Sequence, residues 1–107
     1  MPSKVYSAAI VGLDAQFIEV ETEVSYGLSY FEIVGLPDKT VQESKERIST
    51  ALKNSGYRSP YSKPERILVN LAPADLKKQG SLYDLPIAIG YLLASKQIRF
   101  DPEKNYL

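Results

Sequence analysis

An apolar strand that breaks at a Gly-Leu-Pro-Asp corner and resumes at helical spacing, residues 31 to 56 (FEIVGLPDKTVQESKERISTALKNSG), constrains this chain more than any other stretch. Thr40 and Glu43 stand three apart as a capping box. Val41, Ser44, Ile48, Ala51, Leu52 and Ser55 fall on one face of a helix over 40–55, and Gly56 sits where a terminating helix needs positive φ. Gln42, Glu46, Ser49 and Lys53 take the other face, with Glu43 one turn from Arg47. One side of this helix must therefore rest on an apolar layer.

The preceding residues supply that layer. Residues 4–11 (KVYSAAIV) alternate poorly, Ala8 to Val11 being apolar on both sides, as in a strand covered on both faces or packed closely through small side chains. Gly12-Leu13-Asp14 turns the chain. Residues 15–24 then alternate cleanly, with Ile18, Val20, Thr22 and Val24 on one face and Glu19, Glu21 and Glu23 on the other, so one side of the sheet is wet and the pairing antiparallel. Ser25 to Leu28 reverses the chain, with Gly27 the natural candidate for positive φ. Residues 29–34 return as a third strand with Phe31 and Ile33 inward. Three strands joined by tight reversals predict a meander covered by the helix.

Beyond Gly56 the pattern changes. Pro60 and Pro64 interrupt both periodicities in residues 57–66 (YRSPYSKPER), a loop that is aromatic and basic through Tyr57, Arg58, Tyr61, Lys63 and Arg66. Residues 67–73 (ILVNLAP) are apolar nearly throughout, as in a central strand, and Pro73 ends them. After the loop ADLKKQG, Asp84 caps a second helix with Pro86 in its first turn. Leu85, Ile87, Ala88, Ile89, Tyr91, Leu92, Leu93 and Ala94 make that helix apolar around most of its circumference, which predicts the most buried element. Gly90 costs about 1 kcal/mol of helix propensity there, so a neighbouring backbone is expected to approach closely.

A chain of 107 residues with 44% hydrophobic residues makes one domain with a modest core. The absence of cysteine and histidine excludes a disulfide, a thiolate nucleophile, an imidazole base and Cys/His metal sites. No run approaches the roughly 18 apolar residues of a membrane span and the first residues lack a secretory signal, so a cytoplasmic location is expected. The 13 basic and 13 acidic groups cancel. They are unevenly placed: residues 1–53 hold 5 basic and 8 acidic side chains and residues 54–107 hold 8 and 5, a difference of −3 against +3.

Four constellations bear on chemistry. The loop 57–66 reads either as a nucleic-acid contact, with cations for phosphate and rings for stacking, or as a solvated connector whose tyrosines lie along the core edge. Glu65 dilutes its charge and favours the connector. ADLKKQGS offers Lys77, Lys78 and Ser81 ahead of a helix N-terminus, which can hold an anion, but it lacks the GxxxxGK[ST] order of a nucleotide-binding loop, and Asp84 competes for the same amides. Ser81 with Lys77 or Lys78 has the composition of a Ser-Lys dyad, yet both lysines lie in a polar loop that does not desolvate them. Glu19, Glu21 and Glu23 read as a solvated sheet face, having no carbonyl cage for a divalent cation. No catalytic, cofactor or metal residue is assigned.

The segments in order carry a family resemblance. SYFEIVGLPD (29–38), VQESKERISTALKNSG (41–56), NLAPADLKKQG (70–80) and DLPIAIG (84–90) resemble the N-terminal domain of the magnesium-chelatase-like AAA+ ATPases, the group containing the competence-associated branch-migration helicase of bacteria. The likeness runs from residue 4 to about 98. It implies an α+β fold of two layers, a mostly antiparallel sheet with two helices on one face in β-β-β-α-β-α order, similar to the ribosomal protein S5 domain 2-like group that includes the Lon proteolytic domain. Lon-like peptidases carry the serine of a Gly-Pro-Ser-Ala-Gly segment before the second helix. Matched onto Gly80 to Asp84, that segment puts Leu82 at the serine position and Ser81 at the proline, which argues against peptidase activity.

The resemblance further implies that residues 1–107 are a single N-terminal accessory domain, continued by strands beyond residue 107. The nucleotide-binding loop, Walker B acid and arginine finger would then lie in an AAA+ module outside this sequence. ATP and Mg would belong to that parent, an ATP-driven DNA helicase or branch-migration motor of natural transformation that forms a ring, as a hexamer. The piece itself is expected neither to bind nor to hydrolyse ATP. Its partners would be its own AAA+ module and single-stranded or branched DNA, with Arg58, Lys63, Arg66, Lys77 and Lys78 the candidate DNA or partner contacts. The alternative is a protein-interaction or assembly module of a chelatase-like ATPase that never touches DNA.

Overall fold

A computed structural model describes residues 3–11, 14–36, 38–72 and 83–98. Four strands and two helices follow in the expected order: β1 (Ser3–Val11), β2 (Asp14–Tyr26), β3 (Tyr30–Val34), α1 (Asp38–Asn54), β4 (Glu65–Ala72) and α2 (Asp84–Ala94). The expectations for the Gly12 turn, for Pro73 and the loop 74–80, and for Ser81 and Leu82 fall outside the described residues, as does the burial of Ala8 to Val11.

The sheet order is β1-β2-β4-β3, with β1/β2 and β2/β4 antiparallel and β3/β4 parallel. The architecture is the expected two-layer α+β sheet with two helices, and two of its three pairings are antiparallel. The meander is corrected. Residues 25–29 do not close a hairpin; β4 inserts between β2 and β3, pairing Val20 with Leu71 on one side and Ile33 with Val69 on the other. This places β4 centrally, as its apolar sequence requires, although it alternates between buried Ile67, Val69 and Leu71 and exposed Arg66, Leu68 and Asn70 instead of being buried on both faces.

Alternation in β2 and β3 holds as read. Ile18, Val20, Thr22, Phe31 and Ile33 are buried and share one face with the β4 core residues. Both helices cover that face. α1 begins at Asp38, two residues before the expected start, so Thr40 lies in the first turn and is not the cap. Its buried line is Ser44, Ile48 and Leu52, flanked by Val41; Ala51 and Ser55 face solvent, because the contact with the sheet follows a narrow i, i+4 row. Gly56 takes φ 85°, with Gly56 N–H donating to Lys53 O and Tyr57 N–H to Leu52 O, a Schellman close.

In α2 the residue in the N-cap position is Tyr83, with no side-chain cap bond, and Asp84 is the first helical residue. Its carboxylate is taken by Arg47 of α1, Nε to Oδ2 at 2.5 Å, so it ties the helices together instead of capping one. Arg47 also meets Glu43 at 3.8 Å, the expected one-turn pair. Pro86, Ile87, Gly90, Tyr91, Leu92 and Ala94 are buried, whereas Leu85 is 61% exposed and Ile89 and Leu93 are only partly covered. The helix therefore has an outer flank that the sequence did not reveal. Gly90 does mark a close approach, to side chains: an added Cβ would lie 2.8 Å from Thr22 Oγ1, and Ser3 Oγ donates to Gly90 O at 2.7 Å.

Candidate functional site

The strand order gathers one end of the molecule. β2 finishes there at Tyr26, β3 and β4 start there at Tyr30 and Glu65, and α1 and α2 both end there, so residues 24–30, 58–66 and 94–96 converge from three separate stretches. Arg58, Lys63 and Arg66 all stand at this end. Lys77 and Lys78 lie outside the described residues; the described residues that flank them, Ala72 and Tyr83, stand at the far end of β4 and the start of α2.

Arg58 is largely a structural residue. Its N–H donates to Gln97 Oε1 at 2.7 Å and its carbonyl accepts from Gln97 Nε2 at 3.1 Å, fastening the loop to the segment after α2. Its guanidinium lies 4.0 Å from the buried carboxylate of Glu65. The hydroxyl of buried Tyr91 shares its proton between Glu65 Oε1 (3.2 Å) and Ser59 O (3.3 Å). Burial, with the charge and hydrogen bond of Glu65 added, pushes the Tyr91 phenol up to about 12. The pairing of Arg58 with Glu65 is legible only in three dimensions, since the two belong to a loop and a strand.

Tyr61 is half exposed, its ring 5.9 Å from that of buried Phe31, and Lys45 Nζ stands over the Phe31 ring at 5.7 Å from its centre. Tyr61 thus lies along the core edge, as the connector reading expects. Lys63 is exposed and makes no ion pair among the described residues. Arg66 is exposed on the open sheet face, its guanidinium 5.3 Å from the centre of the Tyr30 ring.

Sequence reasoning missed Lys96. It follows α2 with φ 63°, the left-handed conformation usually left to glycine, because Lys96 N–H bonds Leu93 O and Gln97 N–H bonds Leu92 O in a second Schellman close. Lys63, Arg58, Glu65 and Lys96 line a cleft of about 230 Å³ together with Tyr26 and Ser95. A patterned helix ending without glycine was the only available signal. The cleft does not fit a nucleotide polyphosphate: it lies at the C-terminal end of α2, where backbone carbonyls and not N–H groups are presented, and a buried carboxylate occupies its wall. Any phosphate here meets side-chain cations only. Glu19 and Glu21 on the open face lie 3.6 and 3.9 Å from Lys4.

Known proteins with the same sequence pattern now bear on this arrangement. The family described as subunit ChlI of Mg-chelatase matches residues 20–107. The chain belongs to that family. It is 49% identical over 94 residues to the competence protein ComM of Haemophilus influenzae, covering 88% of this chain and 18% of that protein. It is also 49% identical over 104 residues to the uncharacterised protein YifB of Escherichia coli, covering 97% and 20%, and 36% identical over 104 residues to the uncharacterised protein Rv2897c of Mycobacterium tuberculosis, covering 97% and 20%. The chain thus spans about a fifth of the length of these relatives, and it is a member of the magnesium-chelatase-like AAA+ family related to ComM and YifB. Among the described residues no helix is long and apolar enough to cross a membrane.

Proposed function

We propose that this chain is a non-catalytic accessory domain of an ATP-driven DNA motor, a helicase or branch-migration enzyme acting in the cytoplasm, and that its cationic end meets DNA phosphates. The observation that carries the reading is the convergence of Lys63, Arg66 and Lys96 on the end where β2, β3 and β4 meet, in a family member similar to a competence protein. ATP and Mg would be handled by an AAA+ module elsewhere in the full-length protein, which would assemble as a ring and supply the avidity that a few side-chain cations need.

The test is fluorescence anisotropy of labelled single-stranded and forked DNA with full-length protein at two salt concentrations. Wild type is compared with a variant carrying Lys63→Gln, Arg66→Gln, Lys77→Gln, Lys78→Gln and Lys96→Gln, with Arg58 kept because it braces the loop. Each lost phosphate contact should lower the salt slope by a little under 1. Unchanged affinity and slope in a correctly assembled variant would refute DNA contact. The second reading, a protein-interaction module that does not touch DNA, is favoured by the high exposure of Tyr26 and Leu28 at the same end.

A further inference from the structure

Lys63, Lys96 and Tyr26 line one cleft, on the side of the sheet that carries the helices. The backbone beneath each of them is pinned. Gly27 N–H donates to Pro64 O at 3.3 Å, which ties the residue after Tyr26 to the residue after Lys63. A Cβ on Gly27 would come within 2.8 Å of the Arg66 side chain, so the turn also rests on Arg66. Lys96 is fixed at φ 63° by the hydrogen bonds that close α2. Glycine adopts that conformation without strain and lysine does not, so the fold carries a cation here at a conformational cost.

The side chains themselves are uncommitted. Lys63 and Lys96 are exposed and make no ion pair among the described residues, whereas Arg58 stands 4.0 Å from buried Glu65 and those two charges offset. The cleft therefore offers two free ammonium groups, enough for one phosphodiester and too few for a polyphosphate. Tyr26 is 89% exposed, with no ring contact and no hydrogen bond from its hydroxyl among the described residues. Tyr30 differs: on the opposite face of the sheet, Arg66 covers its ring at 5.3 Å and its hydroxyl donates to Glu32 at 3.3 Å. Of these two rings only Tyr26 is left to stack on a ligand. At about 230 Å³ the cleft is smaller than the roughly 300 to 1,000 Å³ of sites that enclose a small molecule, so a phosphate group enters while the base attached to it stays at the rim, where Tyr26 stands.

We propose that this cleft docks one unpaired nucleotide of a DNA strand, its phosphodiester met by Lys63 and Lys96 and its base stacked on Tyr26. The assignment rests on the DNA contact proposed above and narrows it to a strand whose base is free. In a duplex each base face is covered by its neighbours and only edges reach the grooves, so Tyr26 has no surface to stack on. A single strand exposes those faces, and stacking accepts any base because each has a π face. The ring, and not the charge, then distinguishes unpaired from paired DNA.

The test titrates full-length protein by fluorescence anisotropy, at a low and a physiological salt concentration, against three labelled ligands: a single strand, the same strand made abasic throughout, and a blunt duplex of equal length. Tyr26→Ala should weaken the single strand at least about fivefold, the lower end of one base–aromatic stack, and leave the abasic strand and the duplex within about twofold. Tyr26→Phe keeps the ring and should bind as wild type. Lys63→Gln with Lys96→Gln should weaken the single and the abasic strand alike and lower the single-strand salt slope by about 0.7, the value of one phosphate contact. A 5-iodouracil base in the strand, which joins to a stacked aromatic ring on irradiation, should cross-link to Tyr26, and pairing the strand should suppress that product. An equal loss on all three ligands in Tyr26→Ala, no loss on the single strand, or no cross-link at Tyr26 overturns the nucleotide site. So does a Tyr26→Ala protein that fails to assemble by light scattering while its assembled fraction binds DNA as wild type, which would make the ring a protein contact. In each of these cases a surviving effect of the lysine pair leaves the DNA contact itself standing; a lysine pair without effect on any ligand refutes that contact as well.

Discussion

Gly90→Ala is a substitution whose sign depends on one neighbouring atom. In an open helix the change gains about 1 kcal/mol of propensity. Here the new Cβ lies 2.8 Å from Thr22 Oγ1, and Thr22 is fully buried on β2, so that neighbour has little room to yield. Overpacking of this kind costs about 1 to 3 kcal/mol, so the net effect should be destabilising by about 1 kcal/mol. With Thr22→Ala in place the hydroxyl is gone, and the remaining neighbours, Thr22 Cβ and Ser3 Oγ, both stand at an ordinary 3.7 Å. Gly90→Ala should then stabilise by about 0.5 to 1 kcal/mol. Thr22 Oγ1 has no hydrogen-bond partner among the described residues, so its removal orphans nothing. Urea melts of the four proteins in a double-mutant cycle measure the coupling, expected at about 1 to 3 kcal/mol. An equal effect of Gly90→Ala in both backgrounds, or a stabilising one in the wild type, would refute the crowding of α2 against β2.

Other substitutions separate parts of the fold that the sequence alone confuses. Ile87→Ala, at a side chain with no exposure, should cost about 2 to 5 kcal/mol in urea melts, whereas Leu85→Ala, 61% exposed two residues away, should stay within about 0.5 kcal/mol. Gly35→Ala should destabilise by more than about 1 kcal/mol, because Gly35 has φ 108° and an added Cβ would fall 2.7 Å from Leu71 O; a neutral melt would show that the corner relaxes freely. Tyr91 titrates normally near 10.0 and is raised to about 12 in the fold, so the protonated phenol is the native form: stability is intact below pH 10 and should fall as pH rises through 12. Tyr91→Phe should flatten that alkaline limb in pH-dependent melts while costing about 1 to 3 kcal/mol near neutrality, since Glu65 loses a buried donor.

The face of each strand and the existence of each element were legible because they depend on local period. Glu19, Glu21 and Glu23 alternate with Ile18, Val20 and Thr22 whatever the neighbouring strand is. Strand order was not legible. Residues 25–29 look like a reversal in sequence, and only the apolar density of residues 67–71 hinted that β4 takes the central position, which is a competition for burial that no local pattern states. The same limit explains Asp84. Its sequence position suits a cap, but Arg47, 37 residues away, offers a charged partner, and charge-assisted bonds outcompete amides at a solvent-accessible helix start. Of the candidate cations, Lys63 and Arg66 could be named from composition and Lys96 could not, because its place follows from where α2 stops.

The net charge of zero conceals the property that organises this surface. Inserting β4 between β2 and β3 aligns Glu23 and Glu32 on either side of Leu68, while the strand starts and helix ends bring Lys63, Arg66 and Lys96 to the adjoining end. Strand alternation divides these charges between two faces: Lys63 and Lys96 line the helix-side cleft with Val24 and buried Glu65, whereas Arg66 stands on the open face beside Glu23 and Leu68. A duplex that meets Lys63 and Lys96 from the helix side therefore keeps the sheet between itself and the carboxylate row, whereas one that meets Arg66 on the open face is repelled by Glu23 and Glu32 beside it. Raising salt weakens the attraction in either approach. Reversing Glu23 and Glu32 to Lys separates the two approaches: affinity of the full-length protein for forked DNA, read by fluorescence anisotropy, should rise if the duplex lies over Arg66 and stay unchanged if it lies over Lys63 and Lys96, and a loss of affinity in a variant with a wild-type melting curve would refute both.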